Sequence, residues 1–185
     1  MNTMKTLMLT FFLLSQTILF AQQKIEVTEG KRPMSKGENN AFIIEVPQTK
    51  IDDLQKSWTN YLKNYSKEKI VNEKGEIFIL ATIIKRINDK SLNLYSRFQE
   101  TTVGTNINTF YQIDDVFVSI ENNATVATSI KSFLFDFGKQ AYAEAVQTEL
   151  EREQKTLKDF QEVRSCLPRR QLVVCSCLET SIVNN

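Results

Sequence analysis

The sequence predicts an α+β domain: an antiparallel sheet with two helices on one face, in the order β-α-β-β-β-β-α, ending in a long helix. Three observations lead there. Apolar residues recur at helical spacing in two separated segments, one after Pro47 and one from about Ala124. Between them the chain breaks into short apolar or alternating runs divided by turn residues. The 185 residues are 42% hydrophobic and include 12 Phe and 5 Tyr, enough for one domain with a real core plus appendages.

The chain opens with MNTMKTLMLTFFLLSQTILFAQQ. Lys5 supplies a basic flank, Leu7 to Phe20 an apolar run, and Ala21 a small residue before Gln22. Residues 1–21 therefore read as a secretory signal peptide cleaved between Ala21 and Gln22. Ser15, Gln16 and Thr17 interrupt the run, which falls short of the ~20 apolar residues of a spanning helix. No other segment is long and apolar enough to cross a bilayer, so no membrane span is expected after signal removal. The expected location is periplasmic or extracellular.

Residues 22–40 are polar, with Gly30, Pro33 and Gly37 as breakers, and read as an extended arm or loop. The α+β domain is expected over 41–142. AFIIEVP gives a first strand, Ala41 to Val46, closed by Pro47. In TKIDDLQKSWTNYLKNY, Thr49 is the expected N-cap and Asp52 and Asp53 suit the positive end of the helix dipole. Ile51, Leu54, Trp58, Tyr61, Leu62 and Tyr65 form its apolar face.

Four strands follow: KIVN, EIFILATII, SLNLYSRFQE and NINTFYQI. Glu73-Lys74-Gly75, Asn88-Asp89-Lys90 and Gly104 mark the turns. In SLNLYSRFQE, Leu92, Leu94 and Phe98 alternate with Asn93, Tyr95 and Arg97, and Ser96 weakens the inner face. Val116 to Ile120 extends the sheet or leads into the last helix. Asn122 or Asn123 caps that helix, and Val126, Ile130, Phe133, Leu134, Phe137, Ala141 and Ala145 share its core face. Residues 143–163 continue as a helical extension in which Ala143, Val146, Leu150, Leu157 and Phe160 take three- and four-residue steps, with Glu153 at one seam position. That spacing fits either a short coiled coil or a helix packed over another part of the domain.

The order of elements resembles TATA-binding-protein-like α+β domains, a likeness that implies nothing about nucleic acid. MSKGENNAFIIEVP before a helix bearing Trp58 and Tyr61, together with FLFDFGKQAYAEAV late in the chain, resembles an uncharacterised family of exported Bacteroidota proteins over about residues 31–160. That resemblance implies an exported domain and brings no activity or site with it.

Chemistry is narrowed chiefly by the absence of His. Ser-His-Asp and Cys-His catalysis, HExxH zinc proteases and His-ligated haem are all excluded. Asp114-Asp115 reads as a solvated turn rather than a carboxylate pair. Asp136-Phe137-Gly138 matches the kinase tripeptide by accident, since neither a glycine-rich loop nor a catalytic loop accompanies it. Lys5 is one of 23 basic residues, so its removal leaves basic and acidic residues equal at 22 each, and no nucleic-acid partner is expected. Lys31, Arg32 and Lys36 read as a solvated local cluster.

The tail, residues 164–185, holds Cys166, Cys175 and Cys177, all the cysteines of the chain. Three thiols without His do not complete a structural zinc site, and Cys-Ser-Cys is not a thioredoxin spacing. A disulfide from Cys166 to Cys175 or Cys177 suits an exported chain and leaves one thiol over. The composition changes abruptly after Gln161, which equally suits a shifted reading frame. No metal, cofactor or catalytic residue is expected. The reading that results is a non-enzymatic exported domain that binds an unidentified protein partner or self-associates through its last helix. Its alternative is a small apolar ligand held between sheet and helices, lined by Trp58, Tyr61, Tyr65 and Phe137, residues that equally suit plain core.

Overall fold

A computed structural model describes residues 25–166. The signal segment with Ala21 and Gln22, and Cys175 and Cys177, lie outside the described residues. The elements are β1 (Val27–Met34), β2 (Gly37–Pro47), α1 (Ile51–Lys63), β3 (Val71–Glu73), β4 (Glu76–Thr82), β5 (Leu92–Glu100), β6 (Gly104–Ile113), β7 (Val116–Phe117) and α2 (Ala124–Cys166). Seven strands form one antiparallel sheet in the order β1-β2-β6-β5-β4-β3, with the short β7 paired to β6. The fold is α+β with a long C-terminal helix. The chain divides into two units between Ala143 and Glu144, and α2 contributes residues to both.

The arm expected over 22–40 is instead largely strand: β1 pairs with β2 along its full length, from Val27↔Ile44 to Met34↔Gly37. Its polar composition has a physical cause. β1 is an edge strand, and Gly30, Lys31, Arg32 and Pro33 discourage a further strand from adding there. The α1 N-terminus also differs from expectation. Lys50 occupies the N-cap position without a side-chain cap bond, while the Thr49 hydroxyl donates to Val46 O (2.7 Å). At the start of α2, by contrast, Asn123 Oδ1 accepts the Val126 N–H (3.2 Å), a cap that engages the Asn of an N-x-T triplet. α2 continues to Cys166, beyond the helical extension expected to end at 163. No Gly or Pro stands between Gly138 and Pro168, so the sequence contains no breaker there.

The core lies between the sheet and both helices. Phe42, Ile44, Val46, Ile79, Leu94, Ile107 and Tyr111 meet Leu54, Trp58, Tyr61 and Leu62 of α1 and Ile130, Phe133, Leu134 and Phe137 of α2. Both helices thus pack on one face of the sheet. Trp58 is 0% exposed. Its ring lies 4.6 Å from Phe137 and 6.0 Å from Tyr61, and its Nε1–H donates to Ser96 Oγ (2.9 Å). Ser96, the polar interruption in β5, is therefore the acceptor for the indole N–H, which a buried Trp requires. The Asp136-Phe137-Gly138 tripeptide is structural. Asp136 pairs with Arg86, Phe137 is core, and a side chain at Gly138 would collide with Ile44.

Two buried hydroxyls behave differently. Tyr61 OH donates to Phe133 O (3.3 Å), and burial, reinforced by Tyr65, raises its pKa well above the usual phenol value. Among the described residues Tyr111 OH has no hydrogen-bond partner of normal geometry, and burial raises its pKa, opposed only in part by the nearby Thr109 side chain. The Trp58–Ser96 hydrogen bond and the Tyr111 hydroxyl should therefore respond oppositely to mutation. Ser96→Ala strands the Trp58 N–H and should cost ~1–3 kcal/mol, read from urea unfolding followed by Trp fluorescence. Tyr111→Phe removes an unpaired group and should leave stability unchanged or raise it by up to about 1 kcal/mol.

Candidate functional site

Among the described residues, the apolar cluster on the other face of the sheet contains no helix residue. Met34, Ala41, Ile43, Tyr95 and Phe110 are buried together there, with Phe78 and Phe117 packed against them. Strand register arranges this face in rows, because directly paired residues on antiparallel strands point to the same side. One row is apolar and largely aromatic: Val71↔Phe78, Phe78↔Tyr95 and Tyr95↔Phe110. The next row is polar: Glu73↔Glu76, Glu76↔Arg97 and Arg97↔Asn108. On the same face, flanking the aromatic row on its other edge, Asn93 pairs with Gln112.

The β1–β2 hairpin tip folds onto this face and joins it to β4. The Ser35 backbone N–H donates to Glu76 Oε2 (3.0 Å) and its hydroxyl to Oε1 (2.6 Å). Lys36 Nζ donates to Gln112 Oε1 (3.1 Å) and stands 4.8 Å from the Tyr95 ring centroid. Arg97 Nη1 donates to Pro33 O (3.3 Å), and its Nε lies 4.0 Å from Glu76 Oε2. Glu76 is only 5% exposed, so these contacts supply the partners that a buried carboxylate requires. The turn on the β4 side is equally defined. Lys74 and Gly75 both have positive φ (52° and 76°), the signature of a two-residue hairpin turn.

Tip and turn enclose a groove of about 580 Å³ between them. Phe78, Leu80 and Tyr95 give it apolar surface, and Ser35, Lys36, Glu73, Lys74, Glu76, Asn93 and Arg97 give it polar groups. Leu80 is 48% exposed, unusual for a leucine in the middle of a sheet strand. The volume is within the ~300–1,000 Å³ of small-molecule sites. Two smaller cavities, of about 390 and 350 Å³, lie beside the β6–β7 turn and over the β1–β2–β6 edge.

Trp58, Tyr61, Tyr65 and Phe137, for which ligand lining and plain core were both expected, pack together in the core between sheet and helices. Tyr61 and Tyr65 lie 5.0 Å apart, Tyr65 and Phe133 also 5.0 Å, and Tyr61 and Phe137 5.2 Å. Helical spacing places these rings on one core stripe, and the two helices close over them. None of the three cavities is lined by any of the four. Asp114 and Asp115 form the β6–β7 turn with φ of 50° and 62°, and Asp114 reaches Lys90 at 2.9 Å. Of the cysteines, only Cys166 falls within the described backbone, as the last residue of α2. The expected disulfide and the altered tail therefore lie outside the described residues. Among the described residues no His, Cys, Asp and Glu group is placed to hold a metal ion, and no helix is long and apolar enough to cross a membrane.

The sequence marks Lys36 as part of a solvated cluster and Glu73-Lys74 as a turn, and nothing in it joins the groove residues into one site. Their signal was present but weak: Tyr95 and Arg97 stand on the side of β5 that alternation assigns to solvent, and Glu76 opens a strand that is otherwise apolar.

If the hairpin tip is held through Glu76, Ser35→Ala should loosen the tip alone. Amide hydrogen exchange at residues 33–37 should accelerate about five- to tenfold, with core amides of β5 and β6 unchanged.

Comparison with known proteins adds little to this geometry. No family model matches the chain, and no curated protein matches it. Among solved structures it is similar to the crystal structure of CalU16 from Micromonospora echinospora, at 14% identity and a TM-score of 0.38, over 66% of this chain and 94% of that one.

Proposed function

We propose that this chain is an exported, non-enzymatic binding module, of the uncharacterised Bacteroidota kind its sequence resembles, which takes its ligand on the sheet face opposite the main core. The groove between the β1–β2 tip and the β3–β4 turn is the observation on which this rests. It combines apolar surface, from exposed Leu80 and half-buried Phe78, with charged groups at Glu73, Lys74 and Arg97. The helix-covered face supports no such role, because its aromatic residues pack against one another.

Binding here requires no catalytic group, and it leaves the fold unchanged because the groove is lined by strands and short turns. Titration of the ¹⁵N-labelled chain with a mixed set of small organic acids, amines and neutral aromatics tests it. Shifts concentrated at Phe78, Leu80, Tyr95 and Arg97 are expected. Shifts that are absent, or that scatter without focus, would sink the reading.

A second reading, assembly through the last helix, has its own observation. Val146, Leu150, Leu157 and Phe160 are exposed at 41%, 48%, 58% and 70%, and they follow four- and three-residue steps through Glu153. Light scattering on the full chain should give more than one copy per particle, with Leu157→Lys and Phe160→Lys together returning it to a monomer. A monomeric parent chain would remove this reading.

A further inference from the structure

We infer that the groove selects a small organic anion with a flat or extended apolar body; the inference rests on the binding role proposed above and concerns the ligand's charge. It follows from an accounting of donors and acceptors. The acceptors that face the groove are mostly occupied. Both oxygens of Glu76 receive Ser35, and Asn93 Oδ1 receives the Ala81 N–H (2.8 Å). Gln112 Oε1, behind them, receives both Lys36 and Asn93 Nδ2.

The donors are less fully used. A guanidinium has five N–H donors. Arg97 directs Nη1 to Pro33 O and faces Glu76 only at 4.0 Å through Nε, and its side chain is 40% exposed. Lys74 lines the groove at the turn with no hydrogen bond or ion pair among the described residues. Against these two cations stands a single acceptor in the same condition, Glu73, exposed and paired across the ladder with Glu76. A ligand carboxylate or sulfonate would thus find donors available, whereas a ligand ammonium would meet one exposed carboxylate beside three cations, Lys36, Lys74 and Arg97. The apolar body would lie along Phe78 and Leu80, on the aromatic row beside the charged one.

Two dyes of shared ring system separate charge from apolar contact: 8-anilinonaphthalene-1-sulfonate, an anion, and N-phenyl-1-naphthylamine, which is neutral. Both are titrated against the full chain by fluorescence. The anion should bind at one site, and Lys74→Glu should weaken it about tenfold while leaving the neutral dye unchanged. Glu73→Gln should strengthen the anion by about two- to fivefold. Leu80→Ser should weaken both dyes, which locates them in the groove rather than on the exposed stripe of the last helix. Lys74, Glu73 and Leu80 are all surface positions, so these variants retain the fold. Equal binding of both dyes, sensitive to Leu80 but not to Lys74 or Glu73, would overturn the anion inference and leave the groove as a binding site. Insensitivity of both dyes to Leu80 would overturn the groove itself.

Discussion

The Trp58 indole needs two things at once: a dry apolar setting for its ring and an acceptor for its N–H. The fold is organised around that requirement. The ring sits on α1, meets Phe133 and Phe137 of α2 edge-on, and reaches Ser96 on the central strand β5. One side chain thus ties both helices to the sheet. Each aromatic pair contributes about 0.5–1.5 kcal/mol beyond simple burial, and the hydrogen bond spares the structure an unpaired donor in the core. Ser96 is small, so it leaves room for the bicyclic ring, and its hydroxyl satisfies a group that an aliphatic residue could not. The close approach of α2 to β2 at Gly138 is part of the same packing.

Placing both helices on one face has a consequence for the other. A sheet of this width also carries apolar side chains on its second face, and here Ala41, Ile43, Tyr95 and Phe110 are buried in a cluster that contains no helix residue among those described. The hairpin tip performs that cover. Met34 packs into the cluster, Ser35 docks on Glu76 and Lys36 reaches Gln112. The tip covers only part of the face. The uncovered part, toward β3 and β4, is the groove. Its mixed character follows directly from register, which sets an aromatic row beside a charged row and presents both to the same space.

The second unit obeys different rules. From Glu144 to Glu162 the helix is rich in Glu, Lys and Arg, and almost every side chain is exposed. Arg152 bridges Glu149 and Glu153, the kind of local pairing that supports an exposed helix without a core. The four exposed apolar residues are the exception, and they set this helix apart from an ordinary solvated one.

Much of the fold was legible in the sequence, and the reason is periodicity. Trp58, Tyr61 and Leu62, like Ile130, Phe133 and Phe137, mark their helix faces because a helix buries one stripe wherever it packs. Strands β4 to β6 are announced by β-branched runs between turn residues, and Lys74-Gly75 and Asp114-Asp115 do form the turns between their strands. β1 was hidden because an edge strand is selected to look unlike a strand. The groove was hidden for a deeper reason. Ser35 and Glu76 are 41 residues apart, and nothing local in either marks a contact made by folding a hairpin across a sheet. Strand alternation divides β5 into two sides, but only the tertiary structure decides that the second side is partly covered, and so turns Tyr95 and Arg97 from solvent-facing residues into the walls of a site.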